Sequence, residues 1–312
     1  MKLSEKVLSY EPKTIKKDLT FEFGDRHDGA IEFAGLVKEG IIEVGYFYGE
    51  IKPKNILVLS SQVGCPSKCS FCELGNQPFV RNLTASEIYE QAILILKDAQ
   101  RYGINIDSIP HKVNMAKSGE PLFNKELIRG LEYLSELGPS FKISTVFPKG
   151  VMKNFEKLTD FAKYCPEPVQ IQISLISTSE SYREKTAGIP VASFLEIRRA
   201  ADYWKENNSK GRKINMSLIL TEDMPCEVKH IQKIFPPEIF RFRFRNYVST
   251  ENGTNQGLIT ITKNRFDKVK EKFSEAGYEV GDWATPTPIE QRFGLASNVT
   301  RNRYMKMISG KF

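Results

Sequence analysis

The sequence predicts an α/β fold: a partial (β/α)6 barrel over residues 56–280, preceded by a small β-rich extension over residues 1–55. From residue 56 onward, short runs rich in β-branched and aromatic residues alternate six times with amphipathic helical segments. Regular alternation is typical of parallel strands joined by right-handed helical crossovers. Residues 281–312 are basic and rich in Pro, Gly and Asn, and we expect them to form a tail that covers the barrel mouth.

Composition and charge narrow the class of protein. Of 312 residues, 40% are hydrophobic and 27% are charged, as expected for a globular enzyme of one or two domains. No stretch approaches the ~18 apolar residues of a membrane helix, and the N-terminus lacks a signal-peptide core. Five cysteines, three of them clustered, predict a reducing cytoplasm rather than a disulfide scaffold. The net charge of +7 is compatible with RNA as a partner.

The elements follow in order along the chain. In the extension, strands are predicted at residues 21–24, 30–33 and 41–48. Residues 56–61 form the first barrel strand. Thr84 to Glu87 is a capping box that begins the first barrel helix. The later strands are predicted at residues 112–116, 141–146, 169–175, 214–220 and 240–247, and the later helices at residues 125–137, 152–164, 193–207, 226–234 and 264–276.

Three cysteines carry the strongest chemical signal. Cys65, Cys69 and Cys72 form a C-x3-C-x2-C motif in residues 64–72, which we call the cysteine loop. Three thiolates this close can hold one iron–sulfur cluster and leave its fourth iron without a protein ligand. A zinc site usually needs four N or S ligands, whereas Cys165 and Cys226 are isolated along the chain. Zinc binding or a purely structural role is the alternative.

The motif, with an aromatic residue just before its last cysteine, resembles the radical S-adenosylmethionine (radical SAM) superfamily. The resemblance implies that Cys65, Cys69 and Cys72 ligate a 4Fe–4S cluster whose open iron binds SAM. The loop follows the first barrel strand, and active sites of such folds gather at the carboxyl ends of the strands. A cluster-bearing regulatory or structural protein is the non-enzymatic alternative.

Six further residues are candidates for holding SAM, because they lie in the loop or near strand ends: Phe71, Gly119, Glu120, Ser144, Ser174 and Asn246. The ring of Phe71 can pack on adenine. Gly119 lets the backbone approach a ligand, and the carboxylate of Glu120 can accept a hydrogen bond from the methionine ammonium group. The serine hydroxyls can reach the ribose or the carboxylate. Each residue also has an ordinary structural alternative, such as a turn or a strand cap.

Several segments resemble the RlmN/Cfr family, radical SAM enzymes that methylate an adenine of ribosomal or transfer RNA. They are residues 60–65, 69–72, 81–88, 119–122, 143–145, 173–175 and, loosely, 289–294. Gly119-Glu120-Pro121-Leu122 resembles the family's SAM-contacting GEPL motif, whereas Ile176 stands where the family has His. The resemblance extends over roughly residues 56–294 and is dense only around the cysteine loop.

The family's methyl transfer implies two more cysteines, one that carries the methyl group and one that resolves the RNA adduct. Val58 and Phe293 stand at the aligned positions, and neither can supply a thiol nucleophile. Only 64 residues precede Cys65, fewer than the family's N-terminal RNA-binding domain needs. We therefore expect a radical SAM enzyme that abstracts a hydrogen atom from its substrate directly. Substrate-side catalytic residues stay unassigned.

Two classes of substrate stay open. The missing cysteines favour a small molecule, such as a nucleoside, sugar or amino-acid derivative. RNA is the alternative, supported by the resemblance, by the alternating Arg241, Arg243 and Arg245 and by the basic residues 301–306. These arginines would otherwise form one solvated face of an edge strand. A reductase such as flavodoxin or ferredoxin is the expected electron donor, and no membrane partner is expected.

Overall fold

The computed structural model describes residues 2–23, 29–49, 55–208, 211–282 and 309. These residues fall into two compact units, the first within residues 1–65 and 78–142 and the second within residues 66–77 and 143–282. The domain boundaries expected from the sequence, near residues 55 and 280, stay a prediction. Residues 283–308 and 310–312, which make up most of the predicted tail, lie outside the described residues.

The first unit begins with helix α1 (Leu3–Ser9) and an antiparallel run of strands. Its main sheet has the order β1-β2-β3-β4-β7, in which only the last pair is parallel. The strands are β1 (Lys16–Phe23), β2 (Gly29–Val37), β3 (Gly40–Tyr48), β4 (Asn55–Leu59), β5 (Gln62–Val63), β6 (Arg81–Asn82) and β7 (Lys112–Met115). Strands β5 and β6 form a separate two-stranded ribbon. The expected β-rich N-terminal region is therefore confirmed.

Helix α2 (Ala85–Arg101) begins at the predicted capping box. The Thr84 hydroxyl accepts from the Glu87 backbone N–H at 3.2 Å, and the Glu87 carboxylate accepts from the Thr84 N–H at 2.8 Å. The helix buries Ile88, Ala92 and its other apolar residues against β4 and against α3 (Leu127–Ser135). A short 3₁₀ helix, Pro121–Phe123, precedes α3.

The second unit repeats the strand–helix pattern. The boundary between the units falls within β8 (Ser140–Thr145), and β9 (Val169–Ser174), β10 (Ile214–Leu220), β11 (Phe240–Asn246) and β12 (Val280–Asp282) then pair parallel in that order. Its helices are α4 (Met152–Tyr164), α5 (Glu180–Ala187), α6 (Phe194–Asn207), α7 (Val228–Ile234), α8 (Glu251–Asn255) and α9 (Lys263–Glu275), with a 3₁₀ helix at Glu73–Asn76.

Strand β11 shows how the second unit divides its apolar and polar residues. Phe240, Phe242 and Phe244 are buried, and the Phe242 ring lies 4.4 Å from Phe273 and 4.7 Å from Tyr278, measured between centroids. The arginines of the strand alternate with these rings and therefore lie on the other side of the sheet. One face of β11 thus forms the aromatic core beneath α9, and the other face is polar.

All six predicted strand–helix units are present in the predicted order, and β12 adds one short parallel strand. Among the described residues, the run of paired strands in each unit does not close on itself. These features confirm the predicted α/β class and an open, partial barrel. Within the described part of the chain, no helix combines the length and the apolar character that membrane crossing requires.

Candidate functional site

The cysteine loop begins with a turn that only glycine fits. Gly64 has a φ of +71°, and a Cβ at this residue would lie 1.9 Å from the carbonyl oxygen of Pro78. Directly after the turn, Cys65 is buried, as is Cys69, whereas Cys72 is half-buried. The loop thus presents three cysteine side chains as potential thiolate ligands.

The second half of the loop is tied to the end of α5. The backbone N–H of Lys68 donates to the carbonyl of Ala187 at 3.1 Å, and that of Ser70 donates to the carbonyl of Thr186 at 2.9 Å. Gly188 follows with a φ of +65°, and a Cβ there would lie 2.5 Å from the Lys68 side chain. The loop therefore owes its conformation to a helix more than 100 residues further along the chain.

A second support comes from Asn252, in α8. Its buried side-chain amide donates to the carbonyl oxygens of Cys69 at 3.1 Å, Ser70 at 3.2 Å and Cys72 at 2.9 Å. The Thr250 hydroxyl lies 3.4 Å from the carbonyl oxygen of Phe71. Sequence reasoning missed Asn252, because nothing local to residue 252 indicates a contact about 180 residues away.

Arg245, near the carboxyl end of β11, places a positive charge beside the loop. Burial lowers the pKa of its guanidinium to about 10, and the negative charge of a Cys72 thiolate acts in the opposite direction. The interaction is reciprocal, so the guanidinium favours the thiolate form that an iron ligand requires.

The donors present fit an iron–sulfur cluster. The loop offers three cysteine side chains, a neighbouring cation and a backbone held by α5 and by Asn252. Thiolates are the ligands of such clusters, and three of them leave one iron available to a cofactor. The fit lies in the kind and spacing of the donors, because among the described residues no group of three or more His, Cys, Asp or Glu side chains, the three cysteines included, is already gathered around one point as a metal site.

Gly119 and Glu120, the predicted SAM-contacting pair, follow β7 in the first unit. Gly119 has a φ of +108°, and a Cβ there would lie 2.6 Å from the hydroxyl of Ser61. The Glu120 carboxylate is 3% exposed and accepts from the Leu122 N–H at 3.1 Å, and its backbone N–H donates to the Gln62 side chain at 2.8 Å. This turn is thus fastened to the residues that lead from β4 to Cys65.

The other SAM candidates lie in the second unit. Ser174 is the last residue of β9, and Asn246 is the exposed last residue of β11, as predicted. Ser144 is the second-last residue of β8, and its hydroxyl lies 3.4 Å from the Gln172 side-chain nitrogen. Phe71 is half-buried in the cysteine loop. Contact of these residues with SAM stays a prediction.

The arginines of β11 do not form the solvated face of an edge strand, because β12 pairs with the far side of β11. Arg241 donates to the side chains of Gln170 at 3.1 Å and Glu279 at 3.0 Å. Arg243 lies against Gly281, where a Cβ would approach its guanidinium to 2.5 Å. Together with the buried Gln170, Gln172, Asn215 and Ser217, the arginines form what we call the polar sheet face.

A buried ionic cluster in the first unit was also missed from the sequence. Lys117, just before Gly119, contacts Glu32 of β2 at 2.7 Å. Burial alone would lower the pKa of Lys117, but Glu32 and Glu43 outweigh it and raise that pKa above its ordinary value. Gly45 of β3 pairs with Glu32 on one side and with Val58 on the other, so Val58 shares a sheet row with the ion pair.

Comparison with known proteins agrees with this geometry. The chain matches the family described as the Radical SAM superfamily over residues 59–234. It is 31% identical over 241 residues to the dual-specificity RNA methyltransferase RlmN of Jannaschia sp. (strain CCS1), covering 71% of this chain and 56% of that protein. It is 28% identical over 240 residues to the probable RlmN of Carboxydothermus hydrogenoformans, covering 75% and 65%. The chain thus spans between about half and two thirds of these relatives.

Among solved structures, a radical SAM methyltransferase from Sphaerobacter thermophilus superposes with a TM-score of 0.69 at 15% identity. The match covers 89% of this chain and 80% of that chain, which supports the fold alone. The resemblance to RlmN that the motifs predicted is supported, and the superfamily implies the predicted cofactors, a 4Fe–4S cluster and SAM. Because the family match takes in more than half of the 312 residues, this chain belongs to the radical SAM superfamily.

Proposed function

We propose that this radical SAM enzyme modifies a base or ribose of RNA. The supporting observation is the polar sheet face, where three arginines accompany buried amide and hydroxyl side chains along β9, β10 and β11, with Arg245 near the carboxyl end of its strand. Guanidinium groups are the preferred partners of phosphate, and arginines on one sheet face suit a polyanionic substrate. The relatives named as RNA methyltransferases favour RNA over the small molecule that the sequence favoured.

Within this proposal, Cys65, Cys69 and Cys72 ligate the cluster. The SAM-binding residues are those identified from the sequence: Phe71, Gly119, Glu120, Ser144, Ser174 and Asn246. Gly119 is included because of the resemblance to the GEPL motif; in the structure its φ of +108° and the packing of Ser61 and Gln62 account for the glycine. The Glu120 carboxylate suits the role because a charged oxygen is a strong hydrogen-bond acceptor for an ammonium group.

A cluster held by Cys65, Cys69 and Cys72 would supply, when reduced, the electron for reductive cleavage of SAM and so the means of hydrogen-atom abstraction from the substrate. The protein holds the reactants in place and shields them from water. The Gly119–Glu120 turn fixes the methionine end of SAM, and the arginines of β11 orient the anionic substrate. A reducing cytoplasm and a flavodoxin- or ferredoxin-type reductase are our proposed location and electron source.

We do not extend the proposal to methyl transfer by a cysteine. Val58, at the aligned position of one family cysteine, is 8% exposed and has no nucleophilic atom. Phe293, at the other aligned position, lies outside the described residues. The proposed reaction is therefore a direct radical modification of the nucleotide.

A small molecule is the second candidate, and one observation favours it. Val58, at the aligned position of one family cysteine, offers no thiol for methyl transfer to RNA.

The test is to measure 5′-deoxyadenosine formation by the reduced enzyme with SAM alone, with total RNA and with a mixture of nucleosides, sugars and amino acids. We expect RNA to stimulate formation and a new nucleoside to appear in the nuclease digest. Arg243→Gln should reduce this stimulation without reducing iron content, and Cys69→Ala should abolish it. Stimulation by the small-molecule mixture alone, with an unchanged RNA digest, would contradict the proposal.

A further inference from the structure

The side chain of Asn252 is the single point at which three peptide groups of the cysteine loop meet. The carbonyl oxygens of Cys69, Ser70 and Cys72 all lie within 3.2 Å of its amide nitrogen. An amide nitrogen carries two N–H donors, so one of them is shared between two carbonyls. Asn252 is 3% exposed, and water therefore does not compete for these bonds.

Neighbouring residues hold Asn252 in this position. Tyr247 extends β11 by donating its N–H to the Leu220 carbonyl at 3.1 Å, and its hydroxyl accepts from the Thr250 N–H at 3.1 Å. The Thr250 hydroxyl in turn accepts from the Gly253 N–H at 2.9 Å. The loop is therefore fastened through Asn252 to the strands of the second unit.

Gly75 makes room for the contact from the loop side. A Cβ on Gly75 would lie 2.6 Å from the Asn252 amide nitrogen and 2.6 Å from the Cys69 carbonyl oxygen. Gly75 and Asn252, which lie far apart in sequence, are thus both required by the same set of hydrogen bonds.

The arrangement has an electrostatic consequence. A trans peptide directs its C=O and the following N–H in opposite directions, and the chain has no cis peptide among the described residues. The N–H groups of Ser70, Phe71 and Glu73 therefore point away from Asn252, that of Ser70 toward the Thr186 carbonyl, and the partially negative carbonyls are gathered on Asn252. Hydrogen bonds to the sulfurs and local charge set the stability and potential of thiolate-bound clusters.

We propose that Asn252 is a positioning residue for the iron–sulfur cluster: it orients the peptide groups between Cys69 and Cys72, and thereby controls how tightly the cluster is held and its reduction potential. The inference rests on the proposed role of Cys65, Cys69 and Cys72 as cluster ligands. It assigns to Asn252 no contact with SAM or with the substrate.

Asn252→Asp tests the inference, because it keeps the size of the side chain but replaces the donor with an acceptor that repels the three carbonyls. Asn255→Asp is the matched control, since Asn255 is an exposed residue of the same helix. After anaerobic reconstitution of the full chain, four properties are measured: iron per chain, the EPR spectrum of the reduced cluster, its midpoint potential, and the rate of iron loss to a chelator.

We expect Asn252→Asp to lose iron about tenfold to a hundredfold faster than the wild type, with a changed EPR spectrum and potential, as for other residues that support metal ligands. Asn255→Asp should match the wild type. The thermal unfolding of the iron-free proteins separates this role from a general loss of stability. If iron-free Asn252→Asp does not fold, Asn252→Ser and Gly75→Ala disturb the same contact and decide the question.

A folded Asn252 variant with wild-type iron content, spectrum, potential and rate of iron loss would overturn the inference and leave the proposed function intact. A wild-type chain that takes up no iron would instead overturn the proposed cluster ligation, and the inference with it.

Discussion

The ammonium group of Lys117 lies 2.7 Å from Oε1 of Glu32, and both side chains are at most 3% exposed. A buried ion pair of this kind is costly to form, and removing one partner leaves an uncompensated charge in the interior. Lys117 directly precedes Ser118, Gly119 and the rest of the predicted SAM turn, so the pair joins that turn to β2 of the N-terminal region.

We therefore expect Lys117→Met to lower the free energy of unfolding by about 3–5 kcal/mol, because Glu32 and Glu43 lose their shared cation. Urea denaturation measures the change. Lys263→Met is the control, because Lys263 pairs with Asp267 on the surface of α9 at exposures of 93% and 54%, and surface pairs contribute little. Equally small changes in the free energy of unfolding for the two variants would show that the buried pair stabilises the protein no more than the surface pair does.

The pH dependence of stability should report on His111. Burial lowers the pKa of His111 from 6.5 to about 4, and its ring stacks on that of Tyr46. Below pH 6.5 the unfolded chain binds a proton here that the folded chain does not bind until about pH 4. Stability should therefore fall as the pH drops through this window, by up to roughly 3 kcal/mol.

Urea midpoints between pH 7 and pH 4 measure this effect. His111→Phe should flatten part of the slope between pH 6.5 and pH 4. Identical slopes in the wild type and in His111→Phe would show that His111 takes up its proton equally in both states.

Substitutions of Glu120 separate the effect of the negative charge in the Gly119–Glu120 turn from the structural role of this side chain. Glu120→Ala should weaken SAM binding by about 1.5–3 kcal/mol and leave the iron content intact, because it removes a charged acceptor for the methionine ammonium. Glu120→Gln keeps an oxygen for the Leu122 N–H but removes the charge. If calorimetry shows SAM affinity unchanged in both variants, Glu120 does not bind the cofactor.

Several elements could be predicted closely from the sequence because their signals are local. Helix α4 and strand β10 have the predicted bounds, since each has a clear apolar period and a distinct end. Helix α5 was missed because it buries Arg183, Thr186 and Ala187, a largely polar face that gives no apolar stripe. Strand β12 was missed because three residues are too few to show the apolar alternation that predicts a strand.

The candidate site also combines residues that could be predicted from the sequence with residues that could not. The cysteines and the Gly119–Glu120 turn are recognisable from short motifs. Asn252 and the partner of Lys117 are not, because their contacts join residues about 180 and 85 positions apart. The solvated-edge interpretation of the β11 arginines was wrong for a related reason: only the three-dimensional pairing reveals β12 beside them.

The remaining cysteines should not support methyl transfer. Burial raises the pKa of Cys226 to about 11, so its thiolate is scarce at neutral pH. Cys165 is buried after α4, on the side where β9 begins rather than ends. With labelled SAM and total RNA, we expect no methyladenosine in the digest. Methyl incorporation that is lost in Cys226→Ala or Cys165→Ala would show that one of them is a catalytic thiol.

The central claim, that the cysteine loop binds a 4Fe–4S cluster that cleaves SAM, is tested most directly by the purified chain itself. After anaerobic reconstitution, it should carry about four irons per chain and form 5′-deoxyadenosine from SAM on reduction. Cys65→Ala, Cys69→Ala and Cys72→Ala should each lose both properties, and Cys165→Ala should retain them. Stoichiometric zinc without iron, and no 5′-deoxyadenosine from the wild type, would contradict the account.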